Sequence, residues 1–271
     1  MTSRMSIGAA SSVAVLAAVA FVPSALAQTP AFNMGWSAGG GPVENYDWAT
    51  HGTLNGYGDF IVEGSKNVWT GWSYTGQLVG SFPGQGDGTW DLSWNCVFTV
   101  NEGVAAGGSA FITANIVVTN NDVVNQNFSL LMTLPTGILG DLSERGSIVG
   151  TITDLTFDDA TVFAPVSGRI YTPMIDGSPE APGFLMNDPF QESAGSPFGS
   201  AIVGPADFGI PVAVAASQTI DSTIGILLDF DLTPGDSASF TAIFEVLPAP
   251  AGLPILAALG LVAGRTRRRK A

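Results

Sequence analysis

Histidine and cysteine, the side chains most often used in catalysis, occur once each in this sequence, as His51 and Cys96. Nucleophilic catalysis by serine or cysteine needs a histidine base, and His51 lies in a glycine-rich segment. The sequence has no Gly-x-Ser-x-Gly and no Cys-x-x-Cys motif. A zinc site built from several histidines or cysteines is excluded within one chain. We therefore expect His51 to be a loop residue and the protein not to be an enzyme.

Carboxylates, in contrast, are abundant, with 23 acidic residues in the chain. Calcium binds carboxylate and carbonyl oxygens, and two groups of aspartates are candidate ligands. The groups are Asp154, Asp158 and Asp159, and separately Asp229, Asp231 and Asp236. Neither has the EF-hand spacing, so no cofactor beyond a weak calcium site is predicted. Most acidic residues flank turns or alternate outward along strands, which predicts that they face solvent.

The distribution of charge excludes one class of partner. The formal charge of the chain is −14, and all 23 acidic residues lie between positions 28 and 247. That segment contains only three basic residues, Lys66, Arg145 and Arg169. Because nucleic-acid binding needs clustered lysine and arginine on the phosphates, we expect no nucleic-acid partner.

Two alternatives to a structural or adhesive protein stay open. Glycoside hydrolysis needs only two carboxylates, so a secreted hydrolase is one of them. The other is a carbohydrate-binding module for exopolysaccharide, because exposed aromatic rings stack on sugars. The six tryptophans are Trp36, Trp48, Trp69, Trp72, Trp90 and Trp94. Trp90 and Trp94 share one face of a strand, which favours a place in the core for these two.

The elements that must position these residues are strands, recognised by apolar side chains at every second position. The clearest strand runs from Thr89 to Val100, with Cys96 on its apolar face, so we expect a buried thiol. Strands are also predicted from Phe111 to Thr119 and from Phe128 to Leu134, as a hairpin-like pair around a polar loop. Later strands run from Ile224 to Leu232 and from Phe240 to Val246, joined by a Pro-Gly turn.

Residues 146–163 have strand-like Thr and Val runs, and residues 165–211, rich in proline, are predicted to form long loops. We expect an all-β fold, an antiparallel β-sandwich of the immunoglobulin-like or jelly-roll-like kind, flanked by an N-terminal signal helix and a C-terminal apolar helix. The segments from Ile112 to Pro135 and from Leu232 to Val246 resemble bacterial immunoglobulin-like surface modules in their pattern.

Residues 1–27 are typical of a secretory signal peptide. Arg4 precedes an apolar run from Ile7 to Val22. Ala25 and Ala27 then supply the small residues that a signal peptidase needs, which predicts cleavage before Gln28. The folded body would occupy residues 28–247.

Residues 248–271 form a C-terminal signal in three parts. Pro248-Ala249-Pro250 is followed by an apolar stretch from Ala251 to Gly264. The basic residues after it are Arg265, Arg267, Arg268, Arg269 and Lys270. Fourteen residues fall short of the roughly 20 that span a bilayer comfortably, and the basic cluster favours a cytoplasmic C-terminus.

This tail resembles the PEP-CTERM sorting signal of Gram-negative-type bacteria, with Ala249 where the family usually has Glu. The resemblance implies an exosortase-type sorting enzyme as partner and the membrane as a temporary one, through the C-terminal helix before processing. It also implies localisation at the cell envelope, cell surface or extracellular matrix, with exopolysaccharide as a further candidate partner. We expect an exported structural or adhesive protein without catalytic activity.

Overall fold

The computed structural model describes residues 33–47, 52–61, 68–82, 88–101, 109–136, 142–195 and 197–248. These residues form two antiparallel sheets. Sheet A contains β1 (Asn33–Ala38), β2 (Glu44–Asp47), β7 (Gln126–Pro135), β9 (Ala160–Phe163), β10 (Arg169–Ile175), β11 (Ser178–Pro179), β12 (Leu185–Asn187), β13 (Gln191–Ala194) and β16 (Thr223–Leu232). Sheet B contains β3 (Gly52–Ile61), β4 (Val68–Ser81), β5 (Thr89–Asn101), β6 (Ser109–Asn120), β8 (Leu142–Thr153), β14 (Ser200–Phe208), β15 (Val214–Ala215) and β17 (Ser237–Pro248).

The strand order is β11-β10-β16-β7-β1-β2 in sheet A and β14-β8-β17-β6-β5-β4-β3 in sheet B. A short 3₁₀ helix, Ala181–Gly183, follows β11. The prediction of an all-β antiparallel sandwich is confirmed at this level. The predicted terminal helices lie outside the described residues. No helix among the described residues is long and apolar enough to cross a membrane.

The two sheets share one apolar core because their strands alternate buried and accessible side chains. Phe128 and Phe230 of sheet A have ring centroids 5.8 Å apart, and Phe230 lies 4.9 Å from Phe240 of sheet B. The predicted inward face of β5 is confirmed, with Cys96 fully buried as a free thiol. Burial of such rings contributes about 1.5–3 kcal/mol each, so these contacts hold the sheets together.

The predicted hairpin between the strands now labelled β6 and β7 is wrong. β6 pairs with β5 and β17 in sheet B, whereas β7 pairs with β1 and β16 in sheet A. Both strands bury one face against the same core from opposite sides, so residues 121–125 cross between the sheets. The buried side-chain amide of Asn120 fixes this corner through its Nδ2, which lies 3.0 Å from the carbonyl oxygens of Val124 and Leu232.

The prediction of long loops over residues 165–211 is also wrong, because β10 to β14 lie in that range. Proline is tolerated in strands at edges and bulges, where its missing N–H is not needed. Pro205 lies at the register shift of β14, between Val203 and Ala206, and β14 is an edge strand of sheet B. The high proline content of residues 165–211 therefore led to a prediction of loops where the structure has strands.

Two poles of the sandwich follow from the register. β17 begins next to Thr153, the end of β8, and ends at Pro248 beside Leu142, the start of β8. β1 begins at Asn33, opposite Thr133 near the end of β7. Both described chain ends thus lie at one pole, which we call the base pole. The opposite pole, here named the loop pole, contains residues 121–125, 154–159, 195–199 except 196, and 233–236.

Candidate functional site

The loop pole brings together three carboxylates that are distant in the sequence. Asp154 and Asp158 lie in the loop after β8, and Asp236 lies in the turn before β17. One oxygen from each lies within 4.8 Å of the other two. Asp154 and Asp236 are fully buried, whereas Asp158 is exposed. The group thus combines members of both candidate calcium groups.

Hydrogen bonds from backbone N–H groups show what the two buried carboxylates do in the fold. Asp154 accepts the N–H of Thr156 at 2.8 Å on Oδ1 and the N–H of Phe198 at 3.0 Å on Oδ2. Asp236 Oδ1 accepts the N–H of Leu155 at 3.3 Å. Buried backbone donors left without an acceptor are costly, so these carboxylates fix the conformation of both loops.

The surroundings of the cluster disfavour three negative charges so close together. Burial raises the pKa of Asp236, its bonds from Thr233 and Leu155 lower it, and the neighbouring charges of Asp154 and Asp158 raise it again. A hard cation such as Ca²⁺ can bind carboxylate oxygens in this number and spacing. The hydrogen bonds already give Asp154 and Asp236 a structural role, so the cluster by itself assigns no metal.

The remaining members of the two candidate calcium groups lie outside this cluster. Asp229 and Asp231 share the outer face of β16, as predicted, and Asn127 Nδ2 donates to Asp229 Oδ1 at 3.0 Å. Burial raises the pKa of Asp229 to about 6. Asp159 is exposed and has a φ of 68° in the left-handed region.

The fixed loops carry an aromatic pair that the sequence did not single out. Among the residues whose side-chain exposure the structure describes, Phe157 and Phe198 are the only large aromatic ones that are exposed. Their ring centroids lie 4.8 Å apart at an interplanar angle of 66°, an edge-to-face contact. Phe198 has a φ of 57°, in a region that is costly for a bulky residue. The loop therefore holds this ring outside the core at some expense in backbone energy.

A second unusual group lies inside the sandwich. Glu144 on β8 is fully buried, and neither of its carboxylate oxygens has a hydrogen-bond partner among the described residues. Burial, and then the charge of Glu180, raises the pKa of Glu144 to about 8. Glu180 is also buried and accepts the N–H of Ser217 at 2.6 Å. The prediction that acidic residues mostly face solvent is wrong for these carboxylates and for Asp154 and Asp236.

The alternative functions gain no support from the described residues. Four of the six tryptophans, Trp36, Trp72, Trp90 and Trp94, are buried in the core, so they offer no sugar-stacking surface. A shallow groove of about 430 Å³ crosses the outer face of sheet B, between Asn95 and Asn115 on one side and Thr151 and Thr241 on the other. Its lining contains no carboxylate, so it lacks the pair that glycoside hydrolysis requires.

Most residues of the predicted targeting signals lie outside the described part of the chain, and their roles stay predictions. These are Ala25, Ala27, Gln28, Ala249, Pro250, Arg265, Arg267, Arg268, Arg269 and Lys270; His51 and Trp48 lie outside it as well. Pro248 is the last residue of β17. No sequence signal marked Glu144 or the aromatic pair, because burial of the former and proximity of the latter depend on the register of distant strands.

Together these observations define an antiparallel β-sandwich with both described chain ends at one pole and hydrogen-bonded, partly apolar loops at the other. The sequence matches no model of a known protein family. Comparison with curated proteins finds no significant similarity either.

Proposed function

We propose that this protein is exported by its signal peptide and sorted by its C-terminal tail to the surface or extracellular matrix of a Gram-negative-type bacterium. Its body acts there as a structural or adhesive component without catalysis. An exosortase-type enzyme processes the tail, the membrane holds the tail before processing, and exopolysaccharide is the matrix partner.

The observation that carries this proposal is the polarity of the sandwich. The tail follows Pro248 at the base pole, while the fixed loops lie at the other end of β17. Twelve strand residues at about 3.3 Å each separate the poles by roughly 40 Å. A body attached or released at its base pole presents its loops outward, which suits contact with other surfaces.

Intact-mass analysis of the protein recovered from the cell surface tests the proposal. We expect a chain that begins at Gln28 and lacks the residues from Arg265 to Lys270. Replacing those five basic residues with Gln should reduce retention before sorting, because each charge at the bilayer centre costs on the order of 2.5–3.5 kcal/mol. Surface protein that keeps Met1, or keeps the basic cluster, would overturn the export or sorting part respectively.

A further inference from the structure

We propose that the loop pole binds a lipid bilayer of zwitterionic composition by inserting its exposed apolar side chains into the interface. Five large apolar residues from three loops are exposed there. Their exposed fractions are 86% for Val123, 43% for Val124, 48% for Leu155, 75% for Phe157 and 58% for Phe198. Such clustering at one end of a soluble fold marks an interaction surface.

The shape of this surface favours a fluid partner. Val123, Phe157 and Phe198 belong to three separate loops, and each is more than half exposed. A rigid protein partner would need a matching pocket for every protruding side chain, whereas acyl chains and headgroups adapt to any arrangement. Phe and Leu side chains are common among residues buried in the boundary between headgroups and acyl chains.

Rigidity of the loops adds to the argument. The edge-to-face contact of Phe157 and Phe198 and the hydrogen bonds that the N–H groups of Phe198 and Thr156 donate to Asp154 hold both rings in place. Asp236 fixes Leu155 in the same way. Because the rings are already held outward, little side-chain entropy is lost when they enter an interface.

Charge selects the lipid class. Of the two described basic residues, Arg145 lies toward the base pole and pairs with Glu245 at 2.6 Å, and the Arg169 guanidinium is held over the Phe184 ring. Asp158 and Asp159 are exposed at the pole and repel anionic headgroups. The ammonium group of phosphatidylethanolamine is a suitable partner for these carboxylates. A like-charged second copy of the same pole is disfavoured for the same reason.

The test follows the two poles separately in the full chain. Val123 at the loop pole and Val212 near the base pole, 86% and 78% exposed, are replaced in turn by cysteine and labelled with an environment-sensitive fluorophore. Cys96 is buried and stays unlabelled. With vesicles of phosphatidylcholine and phosphatidylethanolamine, we expect a blue shift from the label at 123 that is clearly larger than any shift from the label at 212, which lies on the side of the tail. Vesicles containing phosphatidylglycerol should give a smaller shift.

Variants of the aromatic pair provide the decisive comparison. Removing one ring by Phe157→Ser or Phe198→Asn should lower the partition coefficient about tenfold, since burying a large apolar side chain contributes at least about 1.5 kcal/mol. The matched control Ile210→Ser, at an exposed apolar residue near the base pole, should leave it unchanged.

Several results would overturn the proposal. The first is vesicle binding that is unchanged when both rings are lost, and the second is a stronger response to vesicles that contain phosphatidylglycerol. The third is a response of the label at 212 as large as that of the label at 123. The fourth is a response of the label at 123 to a neutral glucan in place of vesicles. The third result would indicate that the tail, and not the loop pole, holds the vesicle. Export and sorting are not measured by this assay, so its failure leaves the proposed function standing.

Discussion

Glu144 places a carboxyl group in the interior without a hydrogen-bond donor among the described residues. A buried, unpaired carboxylate would be very costly, and the usual outcome is that the group takes up a proton. With a pKa of about 8, Glu144 is mainly protonated at neutral pH. Glu180 and Tyr171 are the titratable neighbours, and burial followed by the charge of Glu144 raises the pKa of Tyr171. This corner of the core thus tolerates little additional negative charge.

Glu144→Gln should therefore flatten the pH dependence of stability. In the unfolded chain the carboxyl ionises near 4.5, and in the folded protein near 8. Between these values the folded state binds more protons, so the free energy of unfolding falls as pH rises, by up to about 1.4 kcal/mol per pH unit from this group. Urea denaturation at pH 5 and pH 8 measures the slope. The control Glu192→Gln, at a partly exposed residue, should keep the wild-type slope, and a Glu144→Gln slope equal to it would refute the assignment.

Cys96→Ser should destabilise the protein by about 1–3 kcal/mol, because it puts a hydroxyl into an apolar site. The thiol is fully buried, 3.9 Å from the sulfur of Met132, and burial raises its pKa. Thermal unfolding with and without reductant should be identical for the wild type. Cys96→Ala serves as the apolar control. A melting temperature that drops on adding reductant would contradict a buried, unpaired thiol.

At the scale of elements, periodicity predicted which residues face the core but not which strands pair. The inward faces of β5, β6 and β7 were predicted correctly, since alternation is a local property. Whether two consecutive strands form a hairpin or lie in facing sheets depends on their distant partners, here β17 and β16. The corner residue Asn120 has acceptors more than 100 positions away, which no local pattern reveals.

Part of the candidate site was predictable for the same reason. The aspartates of the loop pole stood out as candidate ligands because carboxylates near turns are visible in sequence. The convergence of Asp154 and Asp236 was not predictable, since the pairing of β8 with β17 brings their two loops together. Phe157 and Phe198 carry no sequence signal, because exposed and buried phenylalanines are alike in a list of residues.

Asp154→Ala should loosen the loops of the loop pole and lower the stability of the protein. The substitution removes the acceptor of two part-buried N–H groups, those of Thr156 and Phe198, and each such hydrogen bond contributes about 0.5–1.5 kcal/mol. Thermal unfolding measures the loss. The control Asp158→Asn removes an exposed charge beside Asp236 and should leave stability unchanged or slightly raised. An equal loss from both variants would mean that charge, not backbone hydrogen bonding, holds the loops.

At the scale of the whole molecule, the described chain ends and the loops of the loop pole lie at opposite ends of the sandwich. Removing the residues after Pro248 should leave the loops unaffected, because every described strand is complete by Pro248. β17 itself is indispensable, since it is central in sheet B and pairs with both β6 and β8. The boundary between a dispensable tail and an essential strand should therefore be sharp.

Two truncations of the chain locate that boundary. A chain ending at Pro248 keeps all of β17, and we expect its denaturation midpoint to equal that of the full chain. A chain ending at Ala242 loses Phe244 and Val246, both fully buried, and the carbonyl of Ile243 that accepts the Tyr171 hydroxyl at 2.8 Å. Losing the two side chains alone costs about 5 kcal/mol, comparable with the total stability of many domains, so this chain should not unfold cooperatively. Circular dichroism with urea distinguishes the two. A cooperative transition in the shorter chain, or a lowered midpoint in the longer one, would show that the fold does not end with β17 at Pro248.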